Sequence, residues 1–113
     1  MSTINIAGFV TTNVDSKSIT DCFLSALSEM LAKMLHTEIE FVTLELQCNV
    51  VMMKAGSSFP MLNLRLFHNS NKVDIDTKHE YAKQIAEWLA KQIGIPENRV
   101  LVLFLDTRYC NAA

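Results

Sequence analysis

Ile93-Gly94-Ile95-Pro96-Glu97-Asn98-Arg99-Val100-Leu101-Val102-Leu103-Phe104-Leu105-Asp106 reads as a helix end, a short turn and a strand. Gly94 can take the left-handed backbone that stops a helix, and Pro96 lacks the N–H needed to resume one. Residues 100–105 form an unbroken apolar run. A strand of that kind needs cover on both sides. The chain's own helices can supply one side. The other side is predicted to be covered by a further subunit.

Immediately upstream, Tyr81, Ala82, Ile85, Trp88, Leu89 and Ile93 recur at helical spacing. The helix they define should start near Asp76 or Thr77. Lys83, Glu87 and Lys91 fall on its solvated face as i,i+4 opposite charges, which stabilise weakly and imply no function. Before it, residues 68–75 are polar and predict an exposed loop. Leu62, Leu64 and Leu66 alternate with Asn63, Arg65 and Phe67, which predicts a strand. Residues 54–60 are a loop by composition.

The first half has the same order. Ile4, Ile6, Gly8 and Val10 alternate with Asn5, Ala7, Phe9 and Thr11, giving a first strand. Asn13 signals a turn. Ser18 is the expected helix N-cap, with Asp21 at the capping-box position. Ile19, Phe23, Leu27, Met30, Leu31 and Met34 then make an apolar helical face ending near His36. Residues 40–47 alternate as a second strand, and residues 50–53 are a short apolar segment that could add another. Strand–helix–strand thus occurs twice, over residues 4–47 and 62–105. The expected fold is α+β: two βαβ pseudo-repeats forming a four-stranded sheet with both helices on one face. The opposite face, with Phe67 and half of residues 100–105, is too apolar to leave in water. A cyclic homo-oligomer would cover it.

The 113 residues predict one domain with a real core. A formal net charge of -2 argues against nucleic acid or an anionic membrane as main partner. No apolar run approaches a membrane span, and the first residues lack the pattern of a signal peptide. Cys22, Cys48 and Cys110 are too widely spaced for a disulfide framework or a zinc site and read as buried or idle thiols of a reducing cytosol.

Four motifs, in order and at matching spacing, resemble the macrophage migration inhibitory factor family of the tautomerase superfamily. They are Thr12-Asn13-Val14, Phe23-Leu24-Ser25 with Leu31-Ala32, Gly56-Ser57-Ser58-Phe59-Pro60, and Gly94-Ile95-Pro96-Glu97-Asn98-Arg99-Val100. The resemblance implies a homotrimer whose sheets form a barrel, with the helices outside. It also implies keto–enol interconversion of compounds such as phenylpyruvate or dopachrome, with an exposed N-terminal proline as base and no cofactor. On this view residues 1–113 are one domain, with 1–5 an extension and 107–113 a short tail. The tail lacks the glycine-rich segment that reaches the next subunit in the family.

At the positions the resemblance assigns to catalysis, this chain differs throughout. The base position is Ile6, whose nitrogen is a peptide amide with no usable basic lone pair. Five residues precede it. If Met1 is removed, the free amine lies on Ser2, up to about 13 Å upstream. The lysine that clamps the substrate carboxylate is replaced by Thr37. The backbone-amide position is Asn69, and the tyrosine and asparagine positions are Leu101 and Leu103. A Cys-x-x-Cys linked to thiol chemistry in some relatives aligns with residues 61–64, where no cysteine stands.

His36, His68 and His79 have no partner spaced as a metal pair beyond a loose His79-Glu80, and they read as surface or helix-end residues. His36 suits a helix C-terminus. Ser57-Ser58 beside Gly56 could offer amides to an anion, but a plain loop is the simpler reading. The sequence therefore points to a degenerate tautomerase acting as a cytokine-like or regulatory binding protein. Its expected partners are itself as a trimer, and a protein receptor or a family enzyme. The alternative is a divergent phenylpyruvate or dopachrome-type isomerase using the Ser2 amine or another non-proline base. The expected location is the cytoplasm; relatives are exported without a signal peptide, so secretion stays open.

Overall fold

A computed structural model of the chain describes residues 3–109. Cys110, and Ser2 with its amine, lie outside the described residues. The elements are β1 (Ile6–Thr12), α1 (Phe23–Met34), β2 (Val42–Gln47), β3 (Leu62–His68), α2 (Lys78–Ile93) and β4 (Val100–Asp106). They build a four-stranded mixed sheet in the order β2-β1-β3-β4. β1 runs parallel to β2, β3 runs parallel to β4, and the two pairs meet antiparallel along β1 and β3. Each parallel pair is joined through a helix, as the doubled strand–helix–strand pattern requires.

Alternation along the strands sorts residues between two faces. Ile6, Val10, Leu62, Leu64 and Leu66 turn toward the helices, where Phe23, Leu27, Leu31, Leu35, Ile85 and Leu89 meet them in one core. Burial of a side chain of this kind contributes about 1.5–3 kcal/mol. Phe23 and Trp88 join the two helices, with ring centroids 6.1 Å apart. Gly8 sits at the middle of β1. A Cβ there would come within 2.7 Å of Leu44 Cδ2, so the absence of a side chain lets β2 and β1 pack under the helices.

Several details depart from the sequence expectation. β1 begins at Ile6 rather than at residue 4. Ser18 does not cap α1. It closes a separate 3-10 turn, Ser16–Ser18, capped by Asp15, which accepts from the Lys17 N–H, and α1 starts at Phe23. Residues 50–53 form no strand; Val51 is 100% exposed and Met53 is exposed, while Val50 and Met52 are partly buried. A tight turn follows, in which Ala55 and Gly56 both have positive φ and Lys54 and Ser57 exchange backbone bonds. The 68–75 loop is not wholly exposed either. His68, Ser70 and Val73 are buried. The end of α2 is as expected: Gly94 has φ 77° and ψ 41°.

The helix-free face carries Phe9 and Phe67, packed edge to face at 5.6 Å, with the Arg65 guanidinium 5.7 Å from the Phe9 ring. Leu101 and Leu103 stand on that face 40% and 45% exposed. β2 and β4 are the two edges of the sheet.

A candidate ligand-binding cleft

The cleft is built by the end of α1, a helix-to-strand boundary, and by the strand-to-helix connection between β3 and α2. α1 ends in a reversal in which the Thr37 N–H donates to the Ala32 carbonyl and the His36 N–H to that of Lys33. This is a Schellman arrangement, with His36 as the left-handed residue at φ 56°. It turns Thr37 back across the end of the helix. On the other side, β3 ends at His68 and the chain turns into a loop that bonds to itself. The Ser70 N–H donates to His68 Nδ1 at 3.1 Å, and the Lys72 N–H to Ser70 Oγ at 3.2 Å. Thr77 Oγ1 donates to the Lys72 carbonyl. Asp74 accepts from the N–H groups of Thr77 and Asp76, which holds its carboxyl below the usual range. These bonds fix Asn69 at the start of the loop.

Thr37 and Asn69 meet on residues 3–5. Thr37 Oγ1 donates to the Ile4 carbonyl at 2.7 Å. Asn69 Oδ1 accepts from the Asn5 N–H at 2.8 Å, and Asn69 Nδ2 donates to the Thr3 carbonyl at 2.9 Å. The Ile4 side chain packs against the core. Beside this segment opens a cleft of about 660 Å³, lined among others by Thr3, His36, Thr37, Asn69, Lys72 and Arg108. A smaller recess of about 300 Å³ lies along Asn5, Ile6, Thr43 and Phe67, and Asn69 lines both.

Of the residues marked in the sequence, the fold brings Thr37 and Asn69 together. The Ile6 side chain is 2% exposed and turned into the core. Leu101 and Leu103 lie on the helix-free face and do not line the cleft of this protomer. His36 is exposed at the helix end and His79 is exposed on α2, but His68 is a core residue, with its ring edge to face with Phe104 at 5.7 Å. Its reading as a surface histidine is therefore corrected. Burial pushes its imidazole below the usual range, although Asp106 pulls the other way. Arg108 pairs with Asp106 at 2.6 Å and holds that carboxyl at about 2. Ser57 spends its amide on Lys54 and its hydroxyl on the Phe59 N–H, so it is a plain loop residue. Among the described residues, no three His, Cys, Asp or Glu side chains cluster, and no helix is long and apolar enough to cross a membrane.

The sequence profile of the macrophage migration inhibitory factor family matches residues 7–113. The chain belongs to that family. It is 30% identical over 102 residues to the macrophage migration inhibitory factor of Xenopus tropicalis, covering 90% of this chain and 88% of the relative. A Brugia malayi homologue is 26% identical over 97 residues, covering 86% and 84%. Solved structures agree on the fold. That of the Trichinella spiralis factor superposes with a TM-score of 0.83 at 18% identity, covering 94% and 95% of the two chains. That of the Prochlorococcus marinus homologue gives 0.77 at 21%, covering 95% of each. This member of the MIF family thus keeps the tautomerase-type fold.

Three parts of the site escaped the sequence reading. Alternation reads residues 4 and 5 as the start of the first strand, and no local pattern links Asn5 to Asn69 across the chain. Lys72 and Arg108 reach the cleft from two loops. The burial of His68 is missed when residue 68 is assigned to the loop, although it continues the inward phase that is legible in Leu62, Leu64 and Leu66.

Proposed function

We propose that this MIF-family protein is a homotrimeric binding protein without proline-based tautomerase chemistry, acting on a protein receptor or co-assembling with an active relative. The observation that carries the reading is what residues 3–5 do. Thr37 and Asn69 stand where the resemblance puts substrate-holding groups, and their side-chain polar atoms are spent on this segment. The chain also continues through Ile6 as an amide, so no basic nitrogen stands at that position. Self-association is supported by the exposed Leu101 and Leu103 and by two open sheet edges, which soluble proteins rarely leave long and apolar. Turnover of phenylpyruvate and dopachrome methyl ester by the recombinant protein is the test. Rates near the uncatalysed background are expected, and rates near those of a proline-bearing relative would overturn the proposal.

The cleft itself favours a second reading. Its volume of about 660 Å³ is within the range of small-molecule sites, and Lys72 suits an anionic substrate such as a keto acid. A divergent isomerase would then use the Ser2 amine or another base. Measurable turnover that disappears when the N-terminal amine is acetylated would select this reading.

A further inference from the structure

Asn69 treats residues 3–5 as a neighbouring strand would. In a parallel ladder one residue bonds, through its N–H and its C=O, to a carbonyl and an N–H two residues apart on its partner. The side-chain amide of Asn69 offers the same pair of groups. Its Nδ2 donates to the Thr3 carbonyl at 2.9 Å, and its Oδ1 accepts the Asn5 N–H at 2.8 Å. Thr37 adds a third main-chain bond, to the Ile4 carbonyl at 2.7 Å. None of the three reads a side chain. The one side chain taken up is Ile4, which is partly buried against the core. Main-chain bonds with one seated aliphatic residue are the terms on which strand-addition sites recognise peptides.

We infer that the clasp formed by Thr37 at the end of α1 and Asn69 at the start of the β3–α2 connection, along the wall of the cleft, is a binding site for an extended peptide with an aliphatic middle residue, held in this structure by the chain's own residues 3–5. Asn5 leads directly into β1, so the segment is tethered beside the site while Ile6 keeps its place in the sheet. The tether gives it a local concentration of about millimolar or more, which shuts out a free peptide. A chain trimmed to begin at Ile6 presents the same groups unoccupied and takes the peptide from solution. This extends the proposed binding role to a defined site. Its test reads binding rather than turnover, so either proposal can fail alone.

The experiment uses protein released from a cleavable fusion so that Ile6 is the first residue, and a synthetic peptide of residues 1–5. The signals of the Asn69 side-chain amide and the Thr37 backbone are followed by NMR. The peptide is expected to return both toward their positions in the full chain. It should bind full-length protein at least about tenfold more weakly, and a peptide N-methylated at Asn5 should lose about tenfold. A folded trimmed protein whose Asn69 signals stay unmoved at millimolar peptide, or equal binding of the methylated peptide, would overturn the inference. If trimming prevents folding, the full-length double variant Thr37→Val, Asn69→Ala decides. Exchange of the Asn5 amide hydrogen should quicken at least about tenfold, and unchanged exchange would show that the clasp does not hold the segment.

Discussion

His68 lies directly opposite Asp106 in the parallel register of β3 and β4, one buried and the other joined to Arg108 at the mouth of a recess. Burial lowers the His68 pKa first of all; Arg108 and Lys78 add to the lowering, and Asp106 opposes it. The unfolded chain therefore takes up this proton before the native one does. No penalty exists above the ordinary value of 6.5, and stability falls as pH drops below it. Asp106 acts in a lower window. Its carboxyl sits at about 2 against 3.8, so its contribution is present above 3.8 and is lost between there and about 2. Urea unfolding at pH 7.5 and 5.5 should show the upper loss. In His68→Leu that slope should flatten, while stability at pH 7.5 drops by about 1–3 kcal/mol because the buried Ser70 N–H loses its acceptor. An unchanged slope would dissociate it from His68.

The two helices end on different residues in the same backbone region. His36 holds φ 56° where Gly94 holds φ 77°. A residue with a Cβ costs about 1–2 kcal/mol there, and glycine avoids that cost. His36→Gly should therefore stabilise the protein by up to about 1 kcal/mol, and Gly94→Ala should destabilise it by about 1 kcal/mol. Thermal melts of the two variants should move in opposite directions.

Arg99 holds the 54–61 loop against the start of β4. Its guanidinium donates to the carbonyls of Phe59 at 2.8 Å and of Lys54 and Ser57 at 3.0 Å. A lysine ammonium lacks the fork that reaches several carbonyls at once. Arg99→Lys should then fail to restore the stability lost in Arg99→Ala, a loss of about 1–3 kcal/mol. Limited proteolysis should cut both variants within residues 54–60 faster than the parent.

Leu101 and Leu103 test the assembly. Light scattering should give three times the protomer mass for the parent. Leu103→Glu should give the protomer mass with helix content unchanged, since this side chain is already 45% exposed in the single chain. A parent protein that runs as a monomer would end the trimer proposal.

Local chemistry made much of this protein legible from its sequence. Strand alternation placed Ile6, Val10, Leu62, Leu64 and Leu66 on one side. Helical spacing placed Phe23, Leu27, Leu31, Ile85 and Leu89, and Gly94 with Pro96 marked where α2 had to stop. These signals work because period and backbone sterics act between near neighbours. The start of α1 was misread at Ser18 because a capping residue is equally at home in the isolated turn that Asp15 organises. Residues 50–53 were ambiguous because apolar character alone does not say whether anything lies over them.

What tertiary structure decided is the cleft. Asn5 and Asn69 are 64 positions apart, and Thr37 and Ile4 are 33 apart. Each side chain was free, as sequence, to point anywhere. Only the antiparallel join of β1 to β3, with α1 ending beside it, sets Thr37 and Asn69 at hydrogen-bonding distance from residues 3–5. The sequence by itself determined the periodic faces of the strands and helices and the stop of α2, since each follows from local covalent or periodic constraints. The partners of Thr37 and Asn69 follow from long-range geometry, which no local pattern encodes.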